Sequence, residues 1–564
     1  MQNKKEFSGI FISNFNLQNF TNYIDNDVGF PLIETELAPF GQVTNILLGA
    51  KNETKHDFGF IWTQPHAGFE SFSKLMNGQM VSLSTILEEV DVFAEAVKKY
   101  SSFVKYLFIA SWVLPAYYKG MGLLDLRNDY GISNCLMRMN LHLADRFSDK
   151  NNIFLLNSQK WIESAGEEAF SSKLWYLSKT PFVNVVFKEA MKDLKSALKT
   201  VTGNSKKLII LDLDDTLWGG IVGEVGWENL KLGGHDFAGE SFVEFQTALK
   251  ALKNRGILLA IVSKNEEVTA LEAITKHPEM ILKKEDFIAW EINWGDKSKN
   301  ILNLLRKVNL GAQSVVFIDD NPVERARVRE SIPDIFVPEW PKDSMHYVKT
   351  LHQLNCFDIA ARTDEDLNRT ELYQAESERS KLRSSLNSID DWLVSLKTVV
   401  TIEKLSNANI QRAAQLLNKT NQMNLTTRRL SEAELSLWAK QEEHELWTFR
   451  VSDKFSDSGL TGIISIHIKD DTAQIVDFLL SCRVMGRKIE ETMVRVVVRF
   501  CISNGIKKLI AEYVPTNKNK PCFDFWKYKS GFIFNEEQNS FLWDFSNVFP
   551  DIPQIEIITH VTQK

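Results

Sequence analysis

The stretch Lys206–Gly220, KKLIILDLDDTLWGG, constrains this chain more than any other. Leu208–Leu211 is an unbroken apolar run, the pattern of a strand buried on both faces of a parallel sheet. It runs directly into Asp212-Leu213-Asp214-Asp215-Thr216. Aspartate has poor strand propensity and is not buried uncompensated. The run therefore reads either as a strand closed by an acidic turn or as a cation site at the carboxyl edge of an α/β sheet, where such sheets bind ligands.

Partners downstream favour the cation site. Gly256–Asn265, GILLAIVSKN, is a second apolar strand that delivers Ser263. Lys297 lies in the polar loop INWGDKSKN, before a helix. Ser314–Pro322, SVVFIDDNP, is a third apolar strand that ends on Asp319-Asp320. DxDxT, then Ser, then Lys, then DD resembles the haloacid-dehalogenase-like (HAD) phosphotransferases. DLDDTLWGGIVGE, SKN, the NWGDK loop and FIDDNPVER are similar to their FkbH-like branch, subfamily IIIC.

The resemblance implies Asp212 as nucleophile, forming an aspartyl-phosphate. It implies Asp214 as general acid and then base. Mg²⁺ would be held by Asp212, the backbone carbonyl of Asp214, Asp319 and Asp320, hard oxygens that suit this ion. Ser263 and Lys297 would bind the phosphoryl group. Asp215 is expected to turn away to a backbone group, and Thr216 to hold the turn.

Trp218–Gly234 carries six glycines and reads as a two-stranded flap. It is either purely structural or a lid meeting substrate through Trp218, Glu224 and Trp227, with Thr216 beside it. The interval between Asp212 and Ser263 leaves room for this flap and one helix, Phe242–Arg255, but no large cap. Such an open site admits a bulky partner. Glu324-Arg325 reads as capping and pairing on a helix Pro322–Ser331.

The chain has 564 residues, with 44% hydrophobic and 25% charged, an ordinary globular composition of several domains. Its net charge of −7 argues against nucleic acid as a partner. Five scattered cysteines without a CxxC point to a reducing compartment and no structural zinc. Lys4 and Lys5 are followed by no sustained apolar segment, and Val104–Tyr118 is too short to span and contains Pro115. The expectation is a cytoplasmic protein without a membrane partner.

Residues 1–200 read as an α/β domain with strands at Gly9–Phe15, Val43–Leu48, Phe58–Thr63, Tyr106–Val113 and Ile153–Asn157. Helices are expected over Ser82–Phe103, Ile132–Ser148 and Val183–Thr200. This region resembles the SGNH-hydrolase-like part of longer FkbH-like proteins. Ser13-Asn14 stands near the position of the nucleophile, but no Asp-x-x-His follows, so the domain is expected to be degenerate. Asn14, Asn16, Trp62 and Asn140 are candidates to line a cleft. By the same resemblance, residues 206–360 are expected to form a central HAD-like domain with a Rossmann-like parallel sheet. The charged segment 361–397 reads as a solvated helical linker.

Residues 398–564 open on LNKTNQMNLTTRR, which resembles the start of the acetyltransferase-like (GNAT) α+β domain of FkbH-like proteins. Working acetyltransferases carry R/Q-x-x-G-x-G/A there, whose amides cradle pyrophosphate. The corresponding residues are Arg483, Gly486 and Lys488, where Lys replaces the last small residue. They imply either a coenzyme A site or a grip on the phosphopantetheine arm of an acyl carrier protein.

Members of the family move a glyceryl unit from 1,3-bisphosphoglycerate to an acyl carrier protein. A Cys is expected there between the two motif aspartates; here it is Leu213. The readings are three. One is a Mg²⁺-dependent phosphatase or phosphotransferase acting on a glyceryl-type unit derived from 1,3-bisphosphoglycerate, for loading onto an acyl carrier protein in polyketide or surface-polysaccharide biosynthesis. The others are a carrier-binding scaffold and an N-acetyltransferase with an attached phosphatase.

Overall fold

In the computed structural model, which describes residues 5–49, 56–115, 117–128, 130–359, 369–386 and 388–560, the chain divides into two units, Met1–Thr202 and Gly203–Lys564. The first unit holds β1 (Phe7–Ser13), β2 (Ile33–Leu37), β3 (Phe58–Trp62), β4 (Tyr106–Ala110) and β5 (Ile153–Leu156). All are parallel, in the order β2-β1-β3-β4-β5. One face packs on an aromatic cluster that includes Phe11, Phe20, Phe60 and Trp62. The other receives Ile86, Val90, Val97 and Tyr100 from the helix Leu83–Ser101, whose cap is Ser82.

Val43–Leu48 is not a strand but most of the helix Val43–Gly49. Val43, Ile46 and Leu47 turn toward the core at spacings of three and four, while Leu48 is exposed. The second strand is instead Ile33–Leu37, whose alternating glutamates suit a sheet edge.

The second unit contains a parallel sheet of β6 (Leu208–Leu211), β7 (Leu258–Ser263), β8 (Phe287–Ile292) and β9 (Val315–Ile318), ordered β8-β7-β6-β9. It has one strand more than the sequence reading, β8. Helix Phe237–Asn254 is longer than expected and is capped by Asp236, which accepts from the Gly239 amide at 3.2 Å. A Cβ on Gly239 would meet the Gly233 carbonyl oxygen at 2.2 Å, so glycine lets the preceding loop lie on this helix.

The same unit holds a nine-stranded mixed sheet. Its strands are β10 (Thr398–Lys404), β11 (Met423–Asn424), β12 (His444–Ser452), β13 (Asp457–Lys469), β14 (Thr472–Leu480), β15 (Lys508–Glu512), β16 (Ile533–Asn535), β17 (Ser540–Trp543) and β18 (Ile555–Thr559). The path is β16-β17-β15-β14-β13-β12-β10-β18, with β11 on β14. The helix Ile489–Ser503 links the parallel pair β14 and β15. The protein is a multi-domain α/β protein with parallel and mixed sheets.

The charged segment is not a merely solvated linker. Its residues 361–368 lie outside the described residues, and Arg369–Ser385 and Ile389–Leu396 are helices. Gln374 donates to the carbonyl oxygen of Glu285 at 2.8 Å, beside the start of β8. Arg379 is buried and donates through Nε to Asp453 Oδ2 at 2.7 Å, after β12. Among the described residues no helix is long and apolar enough to cross a membrane.

Candidate active site

Parallel strands put all their carboxyl ends on one edge, so β6, β7 and β9 present their following loops side by side. Carboxylate oxygens of Asp212, Asp319 and Asp320 lie within 4.8 Å of one another, the one such acidic group among the described residues. Lys297 opens the helix Lys297–Lys307, and its Nζ lies 2.8 Å from Asp212 Oδ2 and 2.6 Å from Asp319 Oδ2. Asp212 Oδ1 is buried with no hydrogen-bond partner among the described residues.

Burial works against the charge on Lys297, but Asp212 and Asp319 outweigh it and hold its pKa above the ordinary lysine value. Burial and then the Asp212 charge push Asp319 up to about 7, against the pull of Lys297. Burial, Asp212 and Asp215 push Asp320 up to about 6. Burial likewise raises Asp214, although Trp218, Val222 and Asn265 donate hydrogen bonds to it. Four acidic groups against one ammonium leave excess negative charge in a confined place. With an orphaned carboxylate oxygen and hard donors only, the set fits a magnesium ion.

The acidic turn is tied on all sides. Asp215 adopts φ +50° and turns away, accepting from the Gly220 amide at 2.8 Å. The Tyr347 hydroxyl donates to the Asp215 carbonyl at 2.8 Å. Thr216 Oγ1 accepts from the Asp320 amide at 3.2 Å, which joins the two acidic loops. Ser263 is buried at the end of β7, with the Asn265 amide nitrogen 3.5 Å from its Oγ.

The flap packs inward at its start and is exposed at Glu224. Trp218–Gly234 forms the short helical turns Val222–Val225 and Trp227–Asn229, with a single bridge between Gly219 and Lys231 in place of two strands. Trp218 is fully buried, and its indole Nε1–H donates to Asp214 Oδ1 at 2.9 Å rather than reaching outward. Thr216 is equally buried, and its hydroxyl links the two acidic loops. Trp227 packs against the core, and Glu224 is exposed on its turn, outside the acidic cluster.

The sequence reading missed three features here. Asn265 Nδ2 donates to Asp214 Oδ2 at 2.9 Å. Arg325 is buried and donates through Nη1 to the carbonyls of Asp319 at 2.8 Å and Asp320 at 2.7 Å, far from a bland capping role. Its neighbour Glu324 pairs with Lys264 at 2.7 Å. Asn265 carried the one available signal, a polar residue at the end of an apolar strand.

The other candidate places look different. Ser13 Oγ accepts from the Phe15 amide at 3.1 Å, and among the described residues no His or Asp is bonded to it. Asn14 pairs with the Gln64 backbone, Asn16 donates to the Ser178 carbonyl, and Asn140 pairs with the Trp112 backbone. Trp62 is buried among aromatic rings. In the mixed-sheet region the Gly486 amide, at φ +73°, donates to Glu490 Oε1 at 2.7 Å. That amide is thus taken by a carboxylate of the helix that follows. Burial pushes Glu490 up to about 7, and burial with Arg412 pulls Arg483 down to about 10.

No known family model matches the chain, and no curated protein matches it. Among solved structures it is similar to the N-terminal part of the protein BF1531 from Bacteroides fragilis, containing a phosphatase domain complexed with Mg. The identity is 28% and the TM-score 0.56, over 63% of this chain and 94% of that one. The ribosomal-protein-S18-alanine N-acetyltransferase of Escherichia coli matches 25% of this chain and 90% of its own, at 10% identity and TM-score 0.20. The PaiA N-acetyltransferase of Thermoplasma acidophilum, in complex with coenzyme A, matches 25% of this chain and 96% of its own, at 18% identity and TM-score 0.19. Likenesses of that extent carry no functional weight.

Proposed function

We propose that this chain is a Mg²⁺-dependent phosphatase or phosphotransferase of the HAD type, working through an aspartyl-phosphate on Asp212. The observation that carries the reading is the orphaned Asp212 Oδ1 beside Lys297, Asp319 and Asp320. The likeness to a Mg-bound phosphatase domain supports it.

Asp212, Asp319 and Asp320 would hold the ion, with the Asp214 carbonyl. When bound, Mg²⁺ supplies positive charge that offsets the carboxylates and the phosphoryl oxygens. A carboxylate oxygen of Asp212 forms a bond to phosphorus while the bond to the leaving oxygen breaks. Asp214 gives that oxygen its proton. Water then attacks phosphorus, Asp214 takes the water's proton, and Asp212 is released. Lys297 screens the transferring group, and Ser263 donates to one of its oxygens.

The substrate proposed is a small acyl phosphate or phosphoester of the glyceryl type, with an acyl carrier protein as acceptor in a cytoplasmic biosynthetic route. Leu213 is fully buried and cannot carry an acyl group, so transfer through the motif itself is not part of the proposal. Residues 1–200, 206–360 and 398–564 are proposed as its three domains. The test is phosphate release from acetyl phosphate with Mg²⁺. Wild type is expected to turn over and Asp212→Asn is not. Equal rates would leave a carrier-binding scaffold as the better reading.

A further inference from the structure

Asp214 is held in a way its neighbours' bulk alone does not require. Its Oδ1 accepts from the Trp218 indole at 2.9 Å and from the Val222 amide at 3.1 Å. Its Oδ2 accepts from Asn265 Nδ2 at 2.9 Å. These donors come from two separate segments, the flap after β6 and the loop after β7. Both carboxylate oxygens are therefore engaged, and rotation about the side-chain bonds breaks at least one contact.

The two side-chain donors are themselves immobile. Trp218 lies in the core beneath the flap with Leu217, Val222 and Leu232. A phenylalanine would fill most of that space, so the indole N–H is not needed for packing. Asn265 is 2% exposed, and the same Nδ2 lies 3.5 Å from Ser263 Oγ. It therefore stands between the group that protonates the leaving oxygen and the group that binds the phosphoryl oxygens.

We infer that Trp218 and Asn265 are positioning residues for Asp214, which aim its carboxyl group at the leaving oxygen. This rests on the phosphatase reading above. A misplacement of about 1 Å in such a group costs on the order of a hundredfold. The cost falls on the step in which the leaving oxygen needs its proton. Substrates whose leaving group departs unprotonated are spared.

The test compares two aryl esters on the full chain with Mg²⁺. Nitrophenolate leaves p-nitrophenyl phosphate without help, whereas phenolate leaves phenyl phosphate poorly. Trp218→Phe and Asn265→Ala are expected to lose roughly tenfold more kcat/KM on phenyl phosphate than on p-nitrophenyl phosphate. Asp214→Asn should show the same selective loss, larger. Equal losses on both esters, or none, would overturn the inference and leave the phosphatase reading standing. If wild type and Asp212→Asn do not differ on p-nitrophenyl phosphate, the reading falls and this inference with it. Should Trp218→Phe fail to fold, Asn265→Ala decides alone. A second readout needs no turnover: the Trp218 indole resonance, identified by its loss in Trp218→Phe, is expected to move upfield in Asp214→Ala. An unmoved resonance would refute the contact on which the inference stands.

Discussion

Lys297 Nζ stands 2.8 Å from Asp212 Oδ2, inside a cluster that is otherwise acidic. If its task is to screen an incoming phosphoryl group, Lys297→Met should lower turnover about a hundredfold or more. Mg²⁺ binding should not weaken, because removing a cation deepens the negative potential at the carboxylates. Phosphate release and calorimetry with Mg²⁺ measure the two effects separately. Parallel loss of both would mean that the lysine only holds the loops together.

Asp320 ties site to stability. Its pKa is raised to about 6, first by burial and then by Asp212 and Asp215. The folded chain therefore holds this proton where the unfolded chain has lost it. Without metal, that contribution is fully present below the unfolded value of about 4 and is lost as pH rises through about 6. Asp320→Asn never carries the charge. In chelator it should be more stable than wild type at pH 8, by on the order of 1 kcal/mol after discounting for solvent screening, and no different at pH 4. Denaturant titrations at the two pH values check the sign.

Much of this site was legible because apolar runs have only one place to go. Leu208–Leu211 and Val315–Ile318 must be buried, so the aspartates that end them had to share an edge. The turned-away Asp215, expected from the family resemblance, accepts from the Gly220 amide. Side-chain partners across loops were not legible. Trp218 could be read as structural or as part of a lid, and only the fold shows its indole N–H donating to Asp214. Phe287–Ile292 was missed because Glu291 breaks its apolar run, and its pairing with β7 makes it a strand. Val43–Leu48 was misread because a short apolar run suits strand and helix alike, and its tertiary neighbours decide.

Arg325 makes a sharper demand on the metal loop. One guanidinium nitrogen bridges the carbonyls of Asp319 and Asp320, at 2.8 Å and 2.7 Å. It fixes the backbone that carries both carboxylates. Arg325→Met should weaken Mg²⁺ binding about 10- to 100-fold, the range found when groups that orient metal ligands are lost. Arg325→Lys should recover only part, because its ammonium ends one bond short of where Nη1 reaches both carbonyls. Calorimetric titration with Mg²⁺ reads the effect directly, and unchanged affinity would assign the arginine to folding alone.

Asp453 is the counter-ion on which the helix Arg369–Ser385 closes. It accepts from Arg379 Nε at 2.7 Å, from Arg379 Nη2 at 2.9 Å and from Arg487 Nη1 at 3.0 Å. Arg487 also pairs with Glu376 of the same helix. Burial alone would raise the Asp453 pKa, but Arg379, its closest partner, and then Arg487 outweigh it and hold the carboxyl below its usual range. Both arginines are 2% exposed, so neither can turn to water if the charge is removed. Asp453→Asn should then cost about 3–5 kcal/mol, the penalty for a broken buried pair. Because the folded pKa is depressed, the contribution is complete above the unfolded value of about 4 and is lost only as pH falls further. The penalty should therefore be the same at pH 5 and pH 8. The helix also holds the parallel sheet through Gln374, so its release should open residues 369–397 to protease before either sheet unfolds. Pulse proteolysis of the full chain, wild type against Asp453→Asn, tests this order. Cleavage no faster in the variant would mean that packing, not the ion pairs, keeps the helix in place.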